Sequence, residues 1–273
     1  MIHNLKRISV LAVCCIVISM IPAAADTLNN YLGSATQSGQ AISYAPGGAT
    51  FSNGNLVFQF TGLTITPTCI DSVSFATVNC ALGSYDPSIA NQLQIAGTLG
   101  INGSAGFDLT GQAQVASYTD SITHDQIDVK QDITLNYTVF TNNSAATISD
   151  AHLDISGCVL NPAAGDGCLM SGTGLPPKFT VNENFAGTNK TINVSAPPPV
   201  LNAVANFLPN TYSSLLVTKD IFMDSGACIN CSVSFSDIKQ YYSQVPEPRA
   251  YAWLLAIGLL GLVQLRRRMT SNA

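Results

Sequence analysis

Between Asp26 and Gln244 the chain has no arginine, and its only cations are Lys130, Lys178, Lys190, Lys219 and Lys239, against about three times as many acidic residues. A stretch so poor in positive charge lacks the electrostatic footprint that a phosphate backbone requires, which excludes nucleic acid as a partner. Tryptophan is missing from the same stretch, since the chain's one tryptophan is Trp253. That weighs against a sugar-binding face built on tryptophan platforms. No long segment carries an apolar stripe at helical spacing. No fixed repeat period is present, which disfavours a solenoid or propeller. No Gly-x-Ser-x-Gly or comparable nucleophile motif occurs. What remains is rich in Ser, Thr, Asn, Gln and Gly, yet the chain is 47% hydrophobic, too apolar for wholesale disorder.

Both ends read as processing segments. Met1 to Ala25 has a basic start (Lys6, Arg7), an apolar run from Ile8 to Ile21 and a close on Ala23-Ala24-Ala25. Small residues at Ala23 and Ala25 fit a secretory signal peptide cut before Asp26. The alternative is an uncleaved signal anchor, but the apolar run is short for a span. The expected organisation is a signal peptide over 1–25, one β-domain over 26–241, a linker over 242–248 and a C-terminal helix with a basic tail over 249–273.

Outside the signal peptide the cysteines fall in local couples: Cys69 with Cys80, Cys158 with Cys168, Cys228 with Cys231. An even count in an exported chain reads as disulfides, and pairing within each couple is expected because each brackets loop-like sequence. A redox role for Cys228-x-x-Cys231 is disfavoured, because a strand-like run follows where a helix would be needed. A zinc site has only His124 and His152 as imidazoles within the body.

Strand-like alternation dominates the body. In Ile127 to Val139, Ile127, Val129, Ile133, Leu135, Tyr137 and Val139 share one parity and polar residues the other. Gln131 alone breaks the apolar parity and marks a candidate bulge or edge. Similar runs occupy 55–60, 92–97, 112–119, 151–156, 178–185, 190–195, 215–223 and 232–238, with Gly, Asn, Ser and Pro clusters between them. Pro198 to Leu208 is the best candidate for a short helix. The expectation is an all-β, antiparallel β-sandwich, jelly-roll-like.

The C-terminus carries Val245-Pro246-Glu247-Pro248, then about 16 apolar residues, then Arg266, Arg267 and Arg268. As a helix that run spans roughly 24 Å, a little short of a bilayer core of about 30 Å. The arginines are expected to stay cytoplasmic, with the body across the membrane. Pro246 and Pro248 bias Val245 and Glu247 to extended geometry, suited to threading into a processing enzyme.

In order and position these elements resemble the PEP-CTERM sorting signal, found on exported proteins of Gram-negative bacteria that make exopolysaccharide. The resemblance covers about the last 30 residues. It implies recognition by an exosortase-like membrane protease, transient anchoring in the inner membrane, and a destination at the cell surface, outer envelope or extracellular matrix. An ordinary C-terminal membrane anchor is the alternative.

For the body, three roles are weighed: a non-catalytic envelope or exopolysaccharide-matrix protein, a carbohydrate- or surface-binding module, and a secreted hydrolase. The densest acidic stretch holds Asp120, Asp125, Asp128 and Asp132 beside His124. It is read first as a solvated face, then as a calcium site, and last as catalytic carboxylates. An ice-binding surface is disfavoured, because the Thr-rich patch Thr61 to Cys69 stands alone. The expectation is no enzymatic activity and no cofactor.

Overall fold

The computed structural model describes residues 25–246, except 82–83, 86, 101–103, 145, 157–176, 197–199 and 227–230. The fold is all-β and antiparallel. In chain order the strands are β1 (Asp26–Thr27), β2 (Leu32–Ser38), β3 (Ala41–Pro46), β4 (Thr50–Asn53), β5 (Leu56–Asp71), β6 (Thr77–Val78), β7 (Gln94–Leu99) and β8 (Ala105–Ala116). They continue as β9 (Tyr118–Thr119), β10 (Gln126–Thr141), β11 (Ala146–Ser156), β12 (Lys178–Phe185), β13 (Thr191–Ala196), β14 (Asn202–Asn206), β15 (Ser214–Asp224) and β16 (Ser232–Pro246). Helix is confined, among the described residues, to short turns at Leu28–Tyr31 and Ile89–Gln92.

One sheet has six strands in the order β1-β7-β8-β16-β11-β14. The other has ten, with β13-β12-β15-β10-β5-β3-β2 as its main path and β4, β6 and β9 paired at its margins. Their facing sides share one apolar core, the arrangement of a β-sandwich. Phe58 of β5 and Tyr137 of β10 meet Phe107 of β8 edge to face, with ring centroids 5.1 and 5.3 Å apart. Phe179 of β12 meets Phe235 of β16 at 5.6 Å. Asn53 ties the sheets at one margin: its Nδ2 donates to the carbonyls of Thr98 (2.7 Å) and Gly106 (2.8 Å).

The alternation read in β10 is real: Ile133, Leu135, Tyr137 and Val139 are all buried. Three local expectations are corrected. Gln131 is neither at an edge nor at a bulge. It is fully buried on a strand paired on both sides, directly opposite Pro67 of β5. The bulge lies further along, where Asn136 pairs with Gly62 but Tyr137 pairs with Phe60, leaving Thr61 extra. The extra residue flips the inward parity of β5 from Leu56, Phe58 and Phe60 to Leu63, Ile65 and Cys69. Within the candidate helix Pro198 to Leu208, of which Pro198 lies outside the described residues, Asn202–Asn206 is instead strand β14, held at a sheet edge by β11. Its β-branched and small residues gain more from that ladder than from an isolated helical turn.

The body also runs past its expected end. Residues 242–246, expected to begin the linker, belong to β16, and Tyr242 is fully buried. β16 is bonded by β8 on one side as far as Ala105 opposite Tyr242, and by β11 on the other as far as Thr147 opposite Val245 and Ala146 opposite Pro246. A second irregularity, between Phe235 and Asp237, flips the inward parity of β16, so that Val233 and Phe235 are followed inside by Ile238, Gln240 and Tyr242. Opposite that segment stands Gly106, where any Cβ would fall 1.6 Å from the Gln240 carbonyl oxygen. Only glycine lets β8 lie this close to β16.

Candidate functional site

The residues expected to take part in processing are placed in part. Asp26 opens β1 and pairs with Ile95, and its side chain accepts from the Thr27 N–H (2.8 Å) and from Asn30. Ala25 is exposed, while Ala23 lies outside the described residues. Val245 and Pro246 end β16. Glu247, Pro248, Arg266, Arg267, Arg268 and the candidate membrane helix lie outside the described residues, within which no helix is long and apolar enough to cross a membrane.

Cys69 and Cys80 form a disulfide, with Cα atoms 5.2 Å apart, which ties β5 to the loop after β6. Cys231 is disulfide-bonded. Cys158, Cys168 and Cys228 lie outside the described residues.

The acidic stretch does not converge. Asp120 is engaged in its own turn, accepting from the N–H groups of Ile122 (2.7 Å) and Thr123 (2.8 Å), which hold its carboxyl below the usual range. His124 sits in the same turn at φ 61°. Asp128 is buried and accepts from Ser225 Oγ at 3.2 Å. Lys130 bridges it to Asp224, at 3.3 and 2.9 Å. Burial, then the charge of Asp224, pushes Asp128 up to about 6 against the pull of Lys130. Asp132 faces Asp220 across the strand pair instead. Burial and that neighbour push it up to about 7. Asp108 of β8 is likewise raised to about 7, by burial and by Asp237 of β16. Among the described residues no three His, Cys, Asp or Glu side chains gather as a metal site.

Two other places concentrate polar chemistry. The first is a groove of about 610 Å³ on the outer side of the six-stranded sheet. It is lined by Tyr241 and Ser243 of β16, Asp150, His152 and Asp154 of β11, and Asn202 of β14. His152 Nε2 lies 2.8 Å from Asp150 Oδ1. A half-exposed ring, carboxylates and an amide in one groove offer both a stacking surface and hydrogen bonds to a neutral polyol.

The second is sealed between the sheets. Lys219 of β15 and Glu183 of β12 stand directly opposite each other in register and point inward, and neither is more than 1% exposed. Lys219 Nζ is 2.5 Å from Glu183 Oε1 and donates to Gln240 Oε1 of the opposing sheet at 2.9 Å. Tyr137 Oη donates to the same Glu183 oxygen (3.1 Å) and lies 2.8 Å from Tyr242 Oη. Burial lowers the Lys219 ammonium against the opposing pull of Glu183, and burial together with Glu183 raises both phenols well above their usual range. Glu183 Oε2 and Gln240 Nε2 are buried and have no hydrogen-bond partner among the described residues.

The sequence reading passed over this cluster, although two of its members carried a signal. Lys219 interrupts the apolar parity Leu215, Val217, Ile221, Met223, and Glu183 interrupts Phe179, Val181, Phe185. Glu183 is also the only glutamate between Asp26 and Gln244. Two opposite charges on two inward parities point to each other. No protein-family model matches the chain, and no curated protein matches it significantly in sequence.

Proposed function

We propose that the protein is an exported, non-catalytic component of the cell envelope or of an exopolysaccharide matrix. Its C-terminal sorting signal is read by an exosortase-like membrane protease after transient anchoring in the inner membrane. The observation that carries this reading is the join between body and tail. The last strand of the body stays paired with β8 up to Tyr242 and with β11 up to Pro246, and the rest of the Pro-Glu-Pro motif follows at once. A cut beyond the motif therefore removes the tail without disturbing any ladder among the described residues.

The outer side of the ten-stranded sheet also suits a hydrated polymer matrix. A row of small polar residues crosses it in register, through Ser43, Thr64, Thr134, Asp220, Asn182 and Asn193. A jelly-roll-like path belongs to the same reading, supported by sheet neighbours far apart in sequence, such as β5 with β10 and β8 with β16.

Mass measurement of protein recovered from the medium and from membranes tests the proposal. Released material is expected to begin at Asp26 and to lack Trp253. An intact tail on released protein would refute processing at the motif. The groove around Tyr241 favours a second reading, a carbohydrate-binding module. Affinity electrophoresis in gels containing neutral polysaccharide should then show retardation that Tyr241→Ala abolishes. Equal mobility of both proteins, with and without polysaccharide, would remove this reading.

A further inference from the structure

We propose that Lys219 and Gln240 join spontaneously in an intramolecular amide bond, with Glu183 as the catalytic proton relay, so that the two sheets become covalently linked. The amine, the amide and the acid are already assembled. Lys219 Nζ lies 2.9 Å from the Gln240 carbonyl oxygen, one bond from the carbon it would attack. Glu183 Oε1 lies 2.5 Å from that same nitrogen. All three side chains are 1% exposed or less, so water does not compete for the acyl carbon. Each group is held by a paired strand, which converts a slow bimolecular aminolysis into a positioned intramolecular one.

The step balances without a co-reactant. Lys219 passes a proton to Glu183, giving a neutral amine and a neutral carboxylic acid. This transfer is favoured where burial penalises charge, and burial already lowers the Lys219 ammonium. The Nζ lone pair forms a bond to Gln240 Cδ, and the carbonyl electron pair moves to Oε1. The attacking nitrogen then gives up a proton and Nε2 gains one, with the Glu183 carboxyl relaying it. The Cδ–Nε2 bond breaks, the carbonyl re-forms and ammonia leaves. Lysine ammonium, glutamate and primary amide thus become a secondary amide, a protonated glutamic acid and ammonia.

The unpartnered atoms favour this outcome over a permanent ion pair. Nε2, which has no acceptor among the described residues, is the leaving nitrogen. Glu183 Oε2, which has no donor among them, is free to take part in the relay. The product removes the buried cation and anion together, and a buried pair is retained only at a large desolvation cost.

Intact mass of the purified wild-type protein, reduced and with termini fixed by peptide mapping, decides the matter. The expected mass is below the sequence mass by one ammonia. Trypsin should leave Lys219 uncut, and the peptide Thr191–Lys239 should be joined through Lys219 to the peptide that begins at Gln240. Glu183→Gln should restore the full mass and cleavage at Lys219. A wild-type mass equal to the sequence mass would overturn the proposal. So would an ammonia loss mapped away from Lys219, or loss of water through a Lys219–Glu183 bond. The wild-type measurement decides even if the variant fails to fold.

Discussion

Lys219 and Asp220 are adjacent on β15, yet the fold treats their charges in opposite ways. Lys219 points into the sandwich, where it meets an anion, Glu183, on the next strand. Asp220 points outward, where it meets another carboxyl, Asp132, on the strand to the other side. The inner pair removes repulsion by combining unlike charges. The outer pair removes it with a proton, because burial and the neighbouring Asp220 keep the Asp132 carboxyl neutral until about pH 7. One strand therefore shows that deep burial selects the partner, whereas partial burial only selects the protonation state.

The comparison can be broken most severely from the inside. Lys219→Ala leaves Glu183 buried without its cation and is expected to cost about 3–5 kcal/mol in denaturant unfolding, apart from any loss of a cross-link. Replacing both charges, with Lys219→Met and Glu183→Gln, should recover most of that loss, since neither variant side chain carries a charge into the core.

The outer carboxyls should show themselves through pH. Asp132 and Asp108 have folded values near 7, against about 3.9 for an unfolded aspartate. Between those limits the folded chain binds more protons than the unfolded one. Their contribution to stability is thus full below about pH 4 and is lost as pH rises towards about 7. Thermal unfolding at pH 5 and pH 8 should reveal the loss. It is on the order of 1–2 kcal/mol in total, after discounting for partial exposure, and Asp132→Asn should flatten part of it. A steeper slope in that variant would reverse the assignment.

The smallest effect tests the intermediate case, Asp128 and Asp224 bridged by Lys130. Removing the bridge with Lys130→Met should cost less than about 1 kcal/mol, because the ammonium is partly exposed. The titration of Asp128, followed by NMR, should move upward from about 6.

Much of this was legible from the residues. The alternating runs gave the all-β class, and β12 was bounded as read, Lys178 to Phe185. The Cys69–Cys80 pairing was legible as a local couple bracketing loop-like sequence. The buried pair was legible in principle, as charges on the inward parity of β12 and β15. Gln240 was not. Counting by twos from Val233 and Phe235 places Asp237 and Lys239 inside and Gln240 outside, and only the irregularity after Phe235 reverses that count. The unity of β5 was hidden in the same way, because Thr61 shifts the parity midway and Gly62 and Pro67 look like turn residues. The groove at Tyr241 was illegible for another reason: β11, β14 and β16 are distant in sequence and meet only through the sheet order.

The position of β16 has a mechanical consequence. A chain tethered beyond Pro246 transmits any pull into a strand bonded to β11 from Asp237 to Pro246 and to β8 from Ser232 to Tyr242. Tension along that axis loads both rows of bonds in shear, so they must rupture together rather than unzip one by one. An anchor point at the free rim of a sheet would load only one such row.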